Sequence, residues 1–251
     1  MRASWPSPPV ELALGSDAVH VWRAGLDLPD WQLQRLRCTL AAGELDRAGR
    51  YRFERERRRF IAARGMLRDV LGHYLHVEPG QVRFCTIGNG FGKPALAPSP
   101  GRATLRFNLA HSGGLALCAV AQGREVGVDL EQIRPFDEAD QIAERFFSAR
   151  ECATIRALPS RMRQEAFFTC WTRKEAVVKA WGTGLALPLD RFDVSLTPGE
   201  PAQLLRVRGD AQECARCSLQ ELAPGTGYVA ALAVEGGGWQ LRCWQWSGPG
   251  Q

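Results

Sequence analysis

The stretch of residues 167–179 sets two lysines and a carboxylate among aromatic and aliphatic residues. At about 3.6 residues per turn, Trp171, Glu175 and Lys179 follow one another along one side of a helix. An apolar stripe lies beside this row, and its members are Phe167, Trp171, Val178 and Trp181. Because an unpaired charge is expensive to bury, a charged row at the edge of an apolar stripe predicts a site for a metal and an anion.

A second segment, residues 124–131, alternates in the manner of a β-strand. Asp129 and Glu131 are two residues apart, so both carboxylates project from the same face. Two oxygen ligands on a strand and a third from a helix suit a hard cation such as Mg²⁺, which often keeps waters and takes other ligands from a substrate phosphate. An exposed strand face with two acids is the alternative, and an isolated Asp-x-Glu pair would favour it. The Lys-Glu helix shifts the interpretation to a metal site.

Composition indicates a globular protein, because the chain has 251 residues and 45% of them are apolar. No apolar run approaches the length of a membrane span, and the N-terminus lacks the apolar core of a signal peptide. Eight cysteines are dispersed along the chain, which is typical of reduced thiols, so a cytoplasmic location is expected. Cys214 and Cys217 form a close pair, but without a second pair or a nearby histidine they do not predict a zinc site.

The formal net charge is +5, and much of the excess lies in residues 47–59. Such a patch could meet nucleic acid, an acidic protein or a phosphorylated cofactor. It contains no recognisable nucleic-acid-binding motif, and Glu54 and Glu56 interrupt the run of arginines.

Hydrophobic periodicity predicts an α+β protein. Residues 1–17, rich in Pro and Ser, are expected to be loosely attached, and they precede an N-terminal subdomain at 18–132 and a C-terminal subdomain at 133–251. The predicted helices cover residues 56–75, 137–145, 148–158 and 162–181. The predicted strands cover residues 18–26, 105–109, 115–121, 125–130, 192–196, 204–208, 228–234 and 241–246. Residues 88–94 form a loop by their glycines and proline.

Five blocks occur in a defined order: GKP at 92–94, FNLAHS at 107–112, GVDLE at 127–131, FFSxxE at 146–151 and WxxKEAxxK at 171–179. Together they resemble the Sfp-type 4′-phosphopantetheinyl transferases of the holo-[acyl-carrier-protein] synthase superfamily. The resemblance extends from about residue 47 to about residue 193. No single block is specific, whereas the joint pattern is. It implies two similar subdomains in a pseudo-twofold arrangement, each a small antiparallel sheet with a long helix.

The resemblance also implies a reaction. The 4′-phosphopantetheine group of coenzyme A would pass to a serine of an apo acyl or peptidyl carrier protein, giving the holo carrier and 3′,5′-ADP with Mg²⁺ present. It assigns Asp129, Glu131 and Glu175 to the metal, and Lys174 and Lys179 to the pyrophosphate. The serine proton needs an acceptor, for which Glu175 and Glu151 both remain open. Lys179 would also stabilise the leaving phosphate.

Further residues are candidates for binding coenzyme A. The glycine-rich loop supplies Gly88, Gly90, Gly92, Lys93 and Pro94, because glycines let backbone N–H groups approach a phosphate and the lysine adds a cation. A simple hairpin turn is the alternative. The list continues with Asn108, His111, Arg47 and Arg64. The residue before His111 is Ala110, where many relatives have serine. For Arg64, in a long helix, an ion pair or a solvated face is the competing interpretation.

Two functions of other classes remain open. A basic nucleic-acid-binding protein would use residues 47–59, but it leaves the three acids unexplained. An inactive coenzyme A binding module would not need the acids and Lys179 together. The favoured interpretation is therefore a monomeric enzyme with pseudo-dimeric architecture, bound to neither nucleic acid nor membrane. The carrier protein could belong to a fatty acid, polyketide, nonribosomal peptide or aminoadipate system.

Overall fold

A computed structural model describes residues 5–86, 94–98, 105–182, 187–208 and 213–249. Its first half contains β1 Ala18–Gly25, α1 Asp30–Arg37, α2 Ala42–Gly49, α3 Glu54–Leu75, β2 Phe84–Thr86, β3 Pro94–Leu96, β4 Leu105–Ser112 and β5 Leu115–Gln122. Its second half contains β6 Val126–Gln132, α4 Ala139–Phe146, α5 Ala149–Ala157, α6 Ser160–Trp181, β7 Phe192–Val194, β8 Leu204–Val207, α7 Glu213–Arg216, β9 Cys217–Leu222, β10 Tyr228–Glu235 and β11 Gln240–Gln245. The α+β prediction is confirmed.

Two sheets carry the architecture. The first has the strand order β11-β1-β5-β4, and the second has the order β6-β10-β9. All pairs in them are antiparallel except β1 with β11, which is parallel. Two small hairpins, β2-β3 and β7-β8, complete the described strands.

The two sheets pack face to face between two long helices, and an apolar cluster fills each of the three interfaces between these layers. One lies between α3 and the first sheet, a second between the two sheets, and a third between the second sheet and α6. Both long helices have 22 residues. The layer order helix, sheet, sheet, helix therefore repeats the same unit in each half, in the way the family resemblance implied.

The charged row predicted on the long helix is confirmed in α6. Trp171, Glu175 and Lys179 are half-buried, whereas every residue between them is buried. This pattern leaves one narrow stripe of the helix open at its edge. Along such a stripe a charge can stay partly solvated, whereas a charge on an enclosed face needs a buried partner.

Two predictions about organisation are wrong. Residues 5–14 are not loosely attached, because Trp5 donates from Nε1 to the carbonyl of Ala223 at 2.8 Å and Leu12 and Leu14 contact the core beside α3. The boundary after residue 132 does not separate the sheets either. Strand β6 precedes that boundary but pairs with β10, and β11 follows it but pairs with β1.

Within the described residues, no helix combines the length and apolar character needed to cross a membrane.

Strand β6 contacts α6 more closely than a side chain would permit. Val126, Val128 and Leu130 point into the cluster between the sheets, so the alternate residues face the helix. At Gly127 an added Cβ would overlap the carbonyl oxygen of Ala176 and the backbone nitrogen of Ala180. A residue without a side chain is therefore required for this approach.

Replacing Gly127 by Ala should push β6 away from α6, since both obstructing atoms belong to helix backbone. Overpacking of this kind costs roughly 1–3 kcal/mol or more of unfolding free energy. The matched control is Gly43→Ala in α2, where an added Cβ meets nothing within 4 Å. Urea unfolding should show a large loss for the first variant and no loss for the second. Equal stability of the two variants would contradict the close approach.

Candidate functional site

The four residues with the strongest predicted roles meet where β6 lies against α6. Lys179 donates from Nζ to Asp129 Oδ1 at 2.6 Å and to the carbonyl of Val128 at 3.3 Å. Asp129 is nearly buried, and the side chain of Lys179 is 28% exposed. Glu131 and Glu175 flank this pair from the strand and the helix.

Burial makes each acid of this group harder to ionise, and for Glu131 and Glu175 the neighbouring acids add to the effect. Desolvation raises the pKa of Glu175, and the charges of Asp129 and Glu131 raise it further against the opposing effect of Lys179. Desolvation followed by the charge of Asp129 likewise raises the pKa of Glu131. The pKa of Asp129 is also raised by desolvation, although Lys179 opposes the shift. Three carboxylates beside one ammonium give the group excess negative charge when they are ionised, and this charge favours the binding of a cation.

One oxygen of the cluster lacks a hydrogen bond. Asp129 Oδ2 is buried and has no partner among the described residues. Leaving a buried carboxylate oxygen unpaired is costly unless something else satisfies it. The same residues do not form a ready-made cage, since no three His, Cys, Asp or Glu side chains of the described chain converge tightly enough to enclose an ion.

His111 lies at the end of β4, on the side of the first sheet that α2 and α3 cover. The residue as a whole is exposed, yet the surrounding protein desolvates its ring and lowers its pKa, and the charges of Lys179 and Arg47 add to this. Glu56 acts in the opposite direction. His111 is therefore within electrostatic range of the lysine of α6 and the arginine of α2.

Two cavities open beside His111. One, of about 400 Å³, is lined by His111 and by Tyr51, Glu56, Arg59, Ser112, Gly113, Gln132 and Arg134. The other, of about 460 Å³, is lined by Gly43, Arg47, Arg50 and Tyr51. Tyr51 borders both, so they are adjacent. The sequence did not single out Tyr51 or Arg134, and only their positions beside motif residues could have suggested them.

The structure places Glu151 and Lys174 in a closed ion pair instead of a cleft. The ammonium of Lys174 is buried and contacts Glu151 Oε2 at 2.8 Å, the carbonyl of Leu189 at 2.7 Å and that of Phe192 at 2.5 Å. Its three protons are thus used within the protein. Glu151 also accepts hydrogen bonds from the backbone N–H groups of Ser148 and Val194. The pyrophosphate role of Lys174 and the proton-acceptor role of Glu151 are wrong for this geometry.

Two cofactor candidates have other contacts as well. Asn108 is buried, and its Oδ1 accepts a hydrogen bond from the N–H of Val128 at 2.9 Å, so its carbonyl oxygen holds β6 beside β4. Arg64 forms an ion pair with Glu44 at 2.5 Å and lies over the ring of Phe84. The ion-pair interpretation kept open for Arg64 is therefore the one observed.

The remaining candidates belong to the glycine-rich loop. Pro94 is exposed and begins β3, where it is the register partner of Thr86. The predictions for Gly88, Gly90, Gly92 and Lys93 fall on positions outside the described residues.

The Lys174–Glu151 pair should act on stability. Lys174→Met leaves a buried carboxylate without its counter-charge, which typically costs about 3–5 kcal/mol. The double variant Lys174→Met, Glu151→Gln should recover part of this loss, because the amide carries no charge. Urea unfolding of four proteins, namely the wild type, Lys174→Met, Glu151→Gln and the double variant, measures the coupling. A Lys174→Met protein of normal stability but weakened coenzyme A binding would contradict the structural role.

Known proteins match this chain over different lengths. Residues 125–233 match the family described as the 4′-phosphopantetheinyl transferase superfamily. The 4′-phosphopantetheinyl transferase HetI of Nostoc sp. (strain PCC 7120) is 46% identical over 246 residues, which cover 98% of this chain and 100% of HetI. The enzyme psf-1 of Bacillus pumilus is 34% identical, over 69% of this chain and 71% of psf-1.

Among solved structures, an ACPS–CoA complex of Chronobacterium ammoniagenes has a TM-score of 0.36 at 23% identity, and the match covers 45% of this chain and 96% of that one. With 46% of its residues identical to those of HetI along nearly the full length of both proteins, the chain belongs to the 4′-phosphopantetheinyl transferase superfamily.

Proposed function

We propose that this transferase moves 4′-phosphopantetheine from coenzyme A to a serine of an apo acyl or peptidyl carrier protein, with Mg²⁺, giving the holo carrier and 3′,5′-ADP. One observation carries the proposal. Asp129, Glu131, Glu175 and Lys179 meet at the joint of β6 and α6, and the three acids outnumber the single ammonium beside them.

The acids fit a hard cation. Asp129, Glu131 and Glu175 offer carboxylate oxygens, and Asp129 Oδ2 is buried without a partner among the described residues. Magnesium commonly keeps several waters and shares substrate phosphates, so it does not need a closed protein cage. When bound here, the ion would supply positive charge to the pyrophosphate of coenzyme A.

The cations of the cleft would hold the phosphates. Lys179 lies closest to the acids, so its ammonium suits the pyrophosphate next to the metal ligands. Arg47 suits the 3′-phosphate at the nucleotide end as a cation, and His111, whose lowered pKa favours the neutral ring, suits it as an uncharged N–H donor; both residues line the adjacent cavities. Charged hydrogen bonds to phosphate are stronger than neutral ones, and cations on both sides would fix the cofactor's direction.

Glu175 is the proposed proton acceptor. The serine Oγ attacks the β-phosphorus and forms a new P–O bond, while the bond from that phosphorus to the bridging oxygen breaks and its electron pair leaves with 3′,5′-ADP. The hydroxyl proton passes to the carboxylate of Glu175. Glu175 suits this role because it lies on the half-buried stripe of α6, beside the other acids, where a substrate hydroxyl could reach its carboxylate.

The basic surface supports an acidic protein partner more than nucleic acid. Three arginines of the basic run are already paired: Arg57 with Glu54, Arg58 with Asp30, and Arg59 with Asp27. Arg52 and Arg55 are exposed and suit the steering of an acidic carrier helix.

All eight cysteines are free thiols, as expected of a reducing compartment such as the cytoplasm.

Metal removal and Glu175→Gln should each abolish most turnover. A positioned proton acceptor typically contributes about 100-fold to 10,000-fold in rate, so the variant should lose at least about 100-fold. Glu165→Gln, exposed on the same helix, is the matched control. Mass spectrometry of an apo carrier incubated with coenzyme A measures conversion, with chelator and then with excess Mg²⁺. Full conversion in chelator, or equal rates for the two variants, would contradict the proposal.

Coenzyme A should bind more tightly than dephospho-coenzyme A. A charge-assisted hydrogen bond is worth roughly 1.5–3 kcal/mol, so losing the 3′-phosphate should weaken binding about tenfold to a hundredfold. Arg47→Ala and His111→Ala should reduce this difference, whereas Arg37→Ala, in α1, should preserve it. Titration calorimetry with both ligands provides the measurement. Equal affinity of the wild type for the two ligands would place the 3′-phosphate elsewhere.

A further inference from the structure

Ser112, the last residue of β4, touches strand β6 at two points. Its Oγ donates a hydrogen bond to Glu131 Oε2 at 2.7 Å and accepts one from the N–H of Gln132 at 3.1 Å. A hydroxyl has a single proton, so donating it to the carboxylate fixes the direction of the group. Ser112 thereby links the position of the Glu131 carboxylate to the backbone of the next residue.

Asn108 makes the corresponding contact four residues earlier. It accepts from the N–H of Val128, as Ser112 accepts from the N–H of Gln132, and both pairs are separated by 20 residues in the chain. The two strands therefore run in the same direction, side by side. They belong to different sheets, so side chains of β4 connect them at these points. Asp129 and Glu131 lie between the two anchors.

Ala110 lies midway between these two residues of β4. It is buried in the apolar cluster between the sheets, together with Val128 and Leu130. Residues 108, 110 and 112 alternate with 107, 109 and 111, so they share the face of β4 that meets β6. Ser112 thus contacts Glu131 from the face opposite to His111, although both residues also line the cavity of about 400 Å³.

We propose that Ser112 is a positioning residue for the metal ligand Glu131, whose carboxylate it holds toward Asp129 and Glu175. The inference rests on the proposed function, because it assumes that these acids bind a metal. A glutamate side chain has three rotatable bonds, and a fixed hydrogen bond removes alternative orientations before the ion arrives. Groups that orient a ligand in this way typically contribute about tenfold to a hundredfold to metal affinity.

Ser112→Val and Ser112→Thr form a matched pair that tests the role. The two side chains have nearly the same shape and both suit a strand, but threonine keeps the hydroxyl and valine lacks it. Ser218→Ala in β9 is the remote control, since the hydroxyl of Ser218 also both donates and accepts hydrogen bonds, with the carbonyls of Val234 and Gly236 and the indole of Trp239, but touches no carboxylate. Paramagnetic resonance of free Mn²⁺ measures metal binding without turnover, and thermal unfolding measures stability.

Ser112→Val should bind Mn²⁺ about tenfold to a hundredfold more weakly than the wild type, while Ser112→Thr and Ser218→Ala bind it as the wild type does. The Mg²⁺ concentration for half-maximal turnover should rise by the same factor in Ser112→Val, and kcat at saturating Mg²⁺ should fall less. A wild type that binds Mn²⁺ no more tightly than Ser112→Val overturns this role and leaves the proposed function intact. A wild type that binds no Mn²⁺ even with coenzyme A present overturns both. A valine variant that fails to fold while the threonine variant folds assigns the hydroxyl to stability and overturns the role.

Discussion

The contact between Gly127 and the backbone of α6 is the constraint on which the site depends. An added Cβ would overlap Ala176 and Ala180, so β6 and the helix approach at a distance that only glycine permits. Two residues later on the same face, Asp129 meets Lys179 at 2.6 Å. The packing of β6 on α6 therefore determines the geometry of the charged residues. A wider gap between strand and helix would separate Asp129 and Glu131 from Glu175 and Lys179.

Helix α6 carries two lysine–carboxylate pairs with opposite properties. The ammonium of Lys174 donates all three of its protons to acceptors inside the protein. The carboxylate of Glu151 accepts hydrogen bonds from two backbone N–H groups and contacts that ammonium. A closed pair of this kind balances its charges and leaves nothing for a ligand. At Lys179 the acids are in excess and one oxygen of Asp129 has no partner among the described residues. Charge balance and hydrogen-bond saturation therefore distinguish the closed pair at Lys174 from the pair at Lys179 that is proposed to act on substrate, although the two lysines are five residues apart on one helix.

Periodicity predicted the elements that are long and amphipathic, and it failed where tertiary partners decide. Helix α6 and the alternation in β6 followed from spacing of about 3.6 and 2 residues. Helices α1 and α2, which have only eight residues each, were missed. The exchange of β6 and β11 between halves depends on strand pairing that local pattern does not encode. Lys174 and Glu175 are neighbours in sequence, and only their rotation about the helix axis, set by the contacts of the second sheet and of residues 189–192, buries one and leaves the other at the edge.

The charge distribution of the whole chain explains why the site needs both sides of the cleft. The protein is positive overall, with a net charge of +5, yet the joint of β6 and α6 is locally acidic. A positive field draws anions such as a phosphorylated cofactor toward the cleft, and it weakens with salt over a Debye length of about 8 Å. At the acids themselves an anion would be repelled unless a cation stood between. Under the proposed function, Arg47 and His111 hold the phosphate far from the acids, and the metal ligands of β6 and α6 bring the other phosphates close to Glu175. The contacts of Asn108 and Ser112 matter in this arrangement because they join β4 to β6. They thereby fix the first sheet, which carries His111, relative to the second sheet, which carries Asp129 and Glu131.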